Sequence, residues 1–183
     1  GDYLLDTNHL IGRADFVVGN PPYIRLEDLE QGGQQYRAEY PTMVGRADIY
    51  VAFYEAALRH LRDEGRCGYI CADRWMFNQY GAKLRAYITS GYAVDVLINM
   101  HKVAPFESEV SAYPAITVIR KGEQGPVTLA TLGPDSEMAT TQEIVRDLRG
   151  SCSARGLANA TRTARWFAGT APWPHVEPDR LAL

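Results

Sequence analysis

The sequence predicts an α/β domain built on a largely parallel sheet, and three observations carry that expectation. Short apolar runs alternate with amphipathic stretches of helical period along much of the chain. The first apolar run, Phe16-Val17-Val18-Gly19, stops at Asn20-Pro21-Pro22; a diproline cannot continue a hydrogen-bonded ladder, so a strand ends there in a loop. Finally, 183 residues that are 46% hydrophobic and 22% charged suffice for one sizeable core.

Taken in order, Asp15–Gly19 reads as a buried strand. Residues 24–46 are polar and glycine-bearing and read as a long loop with room for one helical turn. Asp48 then opens a helix as its N-cap: Val51, Tyr54, Glu55, Leu58 and Leu61 recur near a spacing of 3.6, and Glu64-Gly65 ends it with a left-handed glycine. Cys67–Ala72 is the next strand, Tyr80–Ser90 a helix and Ala93–Asn99 a strand. A polar loop over 101–111 precedes a strand at Tyr113–Ile119 and a weaker one at Val127–Thr131. A helix is expected near Thr141–Arg149, before a Trp- and Pro-bearing tail. In parallel sheets of this kind, chemistry gathers beyond the carboxyl ends of strands, which directs attention to the loops after Gly19, Ala72 and Asn99.

Composition excludes several classes. A net charge of −3 with abundant apolar residues excludes low-complexity disorder. No apolar stretch approaches the roughly 20 residues of a membrane span, and the first ten residues show no secretory signal pattern. Three cysteines (Cys67, Cys71, Cys152) do not make a disulfide framework. Cys67 and Cys71 share a strand with no His/Cys pair at ligand spacing behind them, so buried thiols are expected there and no metal.

The chemistry-bearing segment is Asn20-Pro21-Pro22-Tyr23. One reading is a rigid turn with a packed tyrosine. The other has a mechanism. An exocyclic amine on a base is a poor nucleophile because its lone pair is delocalised into the ring. The side-chain oxygen of Asn20 and the carbonyl of Pro21 could each accept one of its N–H groups and return electron density to the nitrogen. Proline's locked φ fixes that carbonyl in advance. Tyr23 would add a flat face for a base turned out of a duplex.

From here the sequence resembles the gamma-type amino-group DNA methyltransferases, which make N6-methyladenine in restriction–modification and phage-defence systems. The resemblance rests on five segments in register. They are Asp2-Tyr3-Leu4-Leu5; Asp15 through Tyr23; Ala47-Asp48-Ile49-Tyr50-Val51-Ala52-Phe53; Gly65-Arg66-Cys67-Gly68-Tyr69-Ile70; and Pro105-Phe106-Glu107 followed by Ser111 through Ile119. It implies the carboxyl-terminal part of a class I, Rossmann-like methyltransferase sheet with an antiparallel edge strand at 113–120. Asn20 and Pro21 would hold the target amine, Pro22 and Tyr23 completing the catalytic segment. Tyr23 and Phe106 would stack on a flipped adenine in double-stranded DNA, and Lys102 could reach a phosphate. The implied cofactor is S-adenosylmethionine, its adenine held by the Asp2 carboxylate and the Tyr3 backbone N–H and sandwiched between Pro22 and Phe53. No metal is implied, and the implied location is the cytoplasm of a bacterium or archaeon.

The family's pattern also has parts not found here. No glycine-rich cofactor loop follows a first strand, since Gly32-Gly33 comes after the catalytic segment. The expected organisation is therefore a catalytic region over 1–121 lacking that upstream loop. Residues 122–183 then form an edge strand and a basic linker toward a target-recognition domain, with the amino-terminal half and that domain as missing partners. Residues 144–166 carry Arg146, Arg149, Arg155, Arg162 and Arg165 against Asp147, which fits a solvated linker or a phosphate-contacting approach. Asp73 and Arg74 could face the site or pair with each other. Two other functions remain open: a protein glutamine N5-methyltransferase, whose amide nitrogen poses the same lone-pair problem, and a non-catalytic DNA-binding subunit of a split enzyme.

Overall fold

The computed structural model describes residues 1–29, 33–100, 113–132, 161–163 and 168–173. Among these residues, six strands form one mixed sheet: β1 (Ala14–Gly19), β2 (Leu61–Ala72), β3 (Tyr92–Asn99), β4 (Pro114–Lys121), β5 (Val127–Thr131) and β6 (Thr161–Thr163), in the order β1-β2-β4-β3-β5-β6. Four helices accompany them: α1 (Tyr3–Asp6), α2 (Gly33–Glu39), α3 (Tyr50–His60) and α4 (Ala82–Gly91). β1 and β2, joined through α3, pair in parallel, and β3 and β5 also pair in parallel. The expected alternation of strand and helix is what the chain adopts. The helix expected near Thr141–Arg149 lies outside the described residues, as do the arginines at 146, 149, 155 and 165.

The antiparallel strand expected at the sheet's edge over 113–120 has a different place. As β4 it is antiparallel, but it lies inside the sheet between β2 and β3. The antiparallel edge position belongs to β6, which pairs with β5. Burial explains the interior place of β4: Ala115, Thr117 and Ile119 are all at most 2% exposed, and an edge strand could not bury that row so completely. The polar member, Thr117, has its hydroxyl 2.9 Å from the buried Tyr54 hydroxyl, so neither is left unsatisfied.

The helix opened by Asp48 is shorter than its spacing suggests. α3 begins at Tyr50 without a side-chain cap, and Asp48 instead makes a backbone bridge to Arg25. It ends at His60, because Leu61 already belongs to β2 and pairs with Ala14. Glu64-Gly65 is no helix terminus. It sits where β2 carries extra residues against β1, between the pairs Ala14↔Leu61 and Phe16↔Arg66, and there Glu64 takes φ of 63°. Gly65 is required at that bulge: a Cβ would lie 2.7 Å from the Ala14 carbonyl oxygen and 2.8 Å from that of Arg62.

The core lies between one face of the sheet and helices α3 and α4, with Leu58, Leu61, Cys67, Cys71, Leu84, Ile88 and Ile119 each fully buried. Burial pushes both thiols up from their ordinary range, which leaves them unreactive packing groups. The buried carboxylate of Glu55 is satisfied by the backbone N–H and hydroxyl of Thr42 and by the Arg59 guanidinium. The segment 168–173 docks on this body. Trp173 is 2% exposed with its ring 4.7 Å from that of Trp75, and the buried Arg85 donates to the carbonyls of Trp75, Asn78 and Thr170. At the other end of the sheet, β1 is an edge strand with Phe16 and Val18 turned to solvent (72% and 82% exposed). Among the described residues, no helix is long and apolar enough to cross a membrane.

Candidate active site

Because β1 and β2 are parallel, their carboxyl ends share one rim of the sheet, and the loops after Gly19 and Ala72 meet there. At Gly19 the chain lies opposite Tyr69 of β2; an added Cβ would stand 3.3 Å from that ring, so glycine lets the tyrosine close over the strand end. Beyond it Asn20 is exposed, Pro21 buried, and Pro22 and Tyr23 half-buried. The proline thus anchors a short loop whose asparagine faces outward.

Residues just beyond Tyr23 hold this loop in place. The Ile49 N–H donates to the Ile24 carbonyl at 3.0 Å, tying the segment to the start of α3. This brings the Tyr23 ring edge-on to Tyr50, centroids 6.3 Å apart, and the Tyr50 hydroxyl is 2.6 Å from that of Tyr80. Burial pushes the phenols of Tyr23 and Tyr50 well above their ordinary value. Both phenols are therefore neutral at physiological pH.

A second group gathers at α1. The Asp2 carboxylate caps this helix by accepting from the Leu4 N–H at 2.8 Å, and it accepts the Tyr36 hydroxyl as well. The Tyr3 ring stacks on Phe53 with centroids 5.4 Å apart and planes 10° from parallel. Tyr3 also places its hydroxyl 3.2 Å from Nδ1 of His60. Asp2, Tyr3 and Phe53 therefore form one cluster, and Asn20–Tyr23 a second. Tyr69 links them: its ring covers Gly19 and its hydroxyl donates to the Phe53 carbonyl at 3.4 Å.

Sequence reasoning missed Tyr69, Tyr50 and Tyr80 as parts of this site. Tyr69 had a signal, since it lies between Cys67 and Cys71 on the buried face of an alternating strand. Tyr50 is buried and also backs Tyr23. Tyr54 is core outright. Asp73 is buried with its N–H bonded to the Tyr113 carbonyl, while Arg74 is exposed on the same rim. Lys102 and Phe106 lie outside the described residues.

His60 gives a pH test of the α1 cluster. Burial lowers its pKa from the ordinary 6.5, so the unfolded chain binds this proton more readily than the folded one. The resulting stability is present above about pH 6.5 and is lost as pH falls through that value toward the lower folded one. Urea unfolding between pH 5 and pH 8 should show less loss on acidification in His60→Gln than in the parent; identical profiles would remove His60 as a titrating element of the fold.

Residues 5–106 match the family model of the Eco57I restriction-modification methylases. The chain is 39% identical over its whole length to the type II methyltransferase M.PaeR7I of Pseudomonas aeruginosa, and spans about a third (32%) of that protein. Among solved structures it resembles the type IIG restriction endonuclease BpuSI, with a TM-score of 0.68 and 14% identity over 90% of this chain and 21% of that one. It also resembles the methyltransferase subunit of a type I restriction-modification system from Streptococcus thermophilus, with a TM-score of 0.62 and 15% identity over 90% of this chain and 38% of that one. The fold is thus the α/β fold expected from the sequence, that of class I methyltransferases, with a mixed sheet where a largely parallel one was expected.

Proposed function

Since the chain belongs to the Eco57I restriction-modification methylase family, we propose that it forms the catalytic part of a cytoplasmic DNA methyltransferase that modifies N6 of an adenine turned out of the duplex. The observation that carries this reading is the rim at the end of β1: an exposed Asn20 beside a buried, conformationally fixed Pro21 and a half-buried, neutral Tyr23.

The α1 cluster fits the adenosine end of S-adenosylmethionine. The Asp2 carboxylate accepts, and four lone-pair sites leave it capacity beyond the two bonds it already makes. The Tyr3 N–H, in the first turn of α1, has no intrahelical acceptor. An acceptor beside a donor complements the amino group and ring nitrogen of adenine. The face of Phe53 away from Tyr3, with Pro22, is assigned to the purine plane. When bound, S-adenosylmethionine supplies an electrophilic methyl carbon.

The remaining work belongs to side chains and backbone of this chain. Asn20 Oδ1 and the Pro21 carbonyl each accept one N–H of the target amine, drawing density toward nitrogen and turning its lone pair outward. Tyr23 takes one face of the base at roughly 1–3 kcal/mol of stacking, which offsets the few kcal/mol needed to unstack it. Phe106 is assigned the opposite face and Lys102 a neighbouring phosphate. No covalent enzyme intermediate is needed; positioning and local electrostatics provide the acceleration.

The test is methyl transfer by the full-length protein that carries this chain, from labelled S-adenosylmethionine to unmethylated DNA, followed by nucleoside analysis. Label on adenine N6 is the expected result. Label on cytosine would overturn the adenine assignment, label on protein glutamine would favour the alternative enzyme, and no label on either would leave a binding subunit.

A further inference from the structure

We propose that a cleft beside the Tyr23 loop, walled by Arg25, Arg37, Arg46 and Arg74, holds successive phosphodiester groups of the DNA strand that carries the target base. This rests on the DNA reading above and extends it to a binding site.

The cleft has a volume of about 270 Å³. Its four guanidiniums come from four separate segments: the loop after Tyr23, α2, the loop before α3 and the turn after β2. Two carboxylates, Glu27 and Asp48, also line it, so positive charge prevails locally in a chain whose net charge is −3. The ion pair between Arg46 and Glu27 spans 3.6 Å with both side chains mostly in water (91% and 64% exposed). Such a pair contributes little and is readily exchanged for a phosphate. Arg37 is steadied by donating to the Gly45 carbonyl.

Position ties this charge to the chemistry. Arg25 is two residues beyond Tyr23, and Arg74 follows β2 on the rim where Asn20 follows β1. Tyr80, another wall of the cleft, is hydrogen-bonded to the Tyr50 that backs Tyr23. A strand delivering one base to Tyr23 therefore brings its adjoining backbone to this cleft. Guanidinium forks suit phosphate oxygens. Four of them around one cleft suit a chain of anions better than the single carboxylate of the cofactor.

The experiment measures binding of the full-length protein to a methylatable duplex and to a random duplex at several salt concentrations between about 50 and 200 mM. Arg46→Ala and the double variant Arg25→Ala with Arg46→Ala are compared with Arg62→Ala, an exposed arginine paired with Asp15 at the amino end of β2. Each cleft arginine removed should lower the slope of log K against log salt by about 0.9. The double variant should bind both duplexes about tenfold more weakly, with specificity unchanged, because phosphate contacts position without reading sequence. Arg46→Lys should keep the slope and Arg62→Ala should match the parent. Arg46 is too exposed for its loss to unfold the chain, and melting curves will verify this. Unchanged slopes and affinities in variants of a parent that binds and methylates DNA would overturn the cleft alone. A parent that neither binds nor methylates DNA would overturn the cleft and the function together.

Discussion

Asn20→Ala should lower the rate of methyl transfer roughly 10³-fold while leaving fold stability, DNA affinity and cofactor affinity near those of the parent. The side chain is exposed at the end of β1, so its removal opens no cavity and should change stability by no more than about 0.5 kcal/mol. On the proposed reading, what is lost is one of two acceptors for the target amine. The Pro21 carbonyl remains, and one hydrogen bond cannot both hold the amine and turn its lone pair. The loss should fall on kcat and not on KM, because the bond strengthens as charge develops on nitrogen. Asn20→Asp keeps an acceptor oxygen in place and should retain more of the rate than alanine does. Single-turnover transfer to a defined duplex reads this directly. A variant within tenfold of the parent would show that the amine is held elsewhere.

Trp75→Ala should be the most damaging substitution in the core, at about 3–5 kcal/mol, or of the order of 10 °C in melting temperature for a chain of this size. The ring is fully buried, 5.0 Å from that of Tyr54 and 4.7 Å from that of Trp173. Its removal hollows the junction between helix, sheet and tail. Trp173 then loses its seat, although Arg85 still reaches the Thr170 carbonyl. Urea unfolding measures the loss, and limited proteolysis around 168–173 reports the tail. A cost below about 1 kcal/mol would mean that the two indoles do not support each other.

Local pattern made most elements legible. The runs at 14–19, 92–99 and 127–131 are apolar stretches closed by turn residues, and they are strands within a residue or two of where they were expected. Non-local pairing was not legible. Leu61 continues the helical spacing of α3, yet it is drawn into β2 by its partner Ala14, forty-seven positions earlier in the chain. Glu64-Gly65 has the composition of a helix terminus, and only the approach of the Ala14 carbonyl shows why glycine is needed there. Similarly, nothing near residues 114–121 signals insertion between β2 and β3.

The candidate site divides in the same way. Asn20–Tyr23 is contiguous and could be read from residue chemistry alone. Tyr69 reaches Gly19 through strand register, and the four arginines of the cleft share no period, so both required the folded chain. The tail gives a third instance. A Trp among prolines could have docked anywhere, and its edge-on packing against Trp75 follows from the shape of the core.

The central place of β4 sets an order on folding. β2 and β3 lie parallel but are not neighbours; the ladder joining those two halves of the sheet runs through a strand that leaves the ribosome after both. Until residues 114–121 arrive, the nascent chain holds only the β1-β2 pair and a β3 with neither neighbour, since β5 is later still, and contacts so distant in sequence close slowly. During that interval the unfilled slot between β2 and β3 is the position most exposed to capture by another chain. Faster release of 114–121, or a chaperone that shields the slot, should therefore govern the yield of native protein more than any gain in helix propensity.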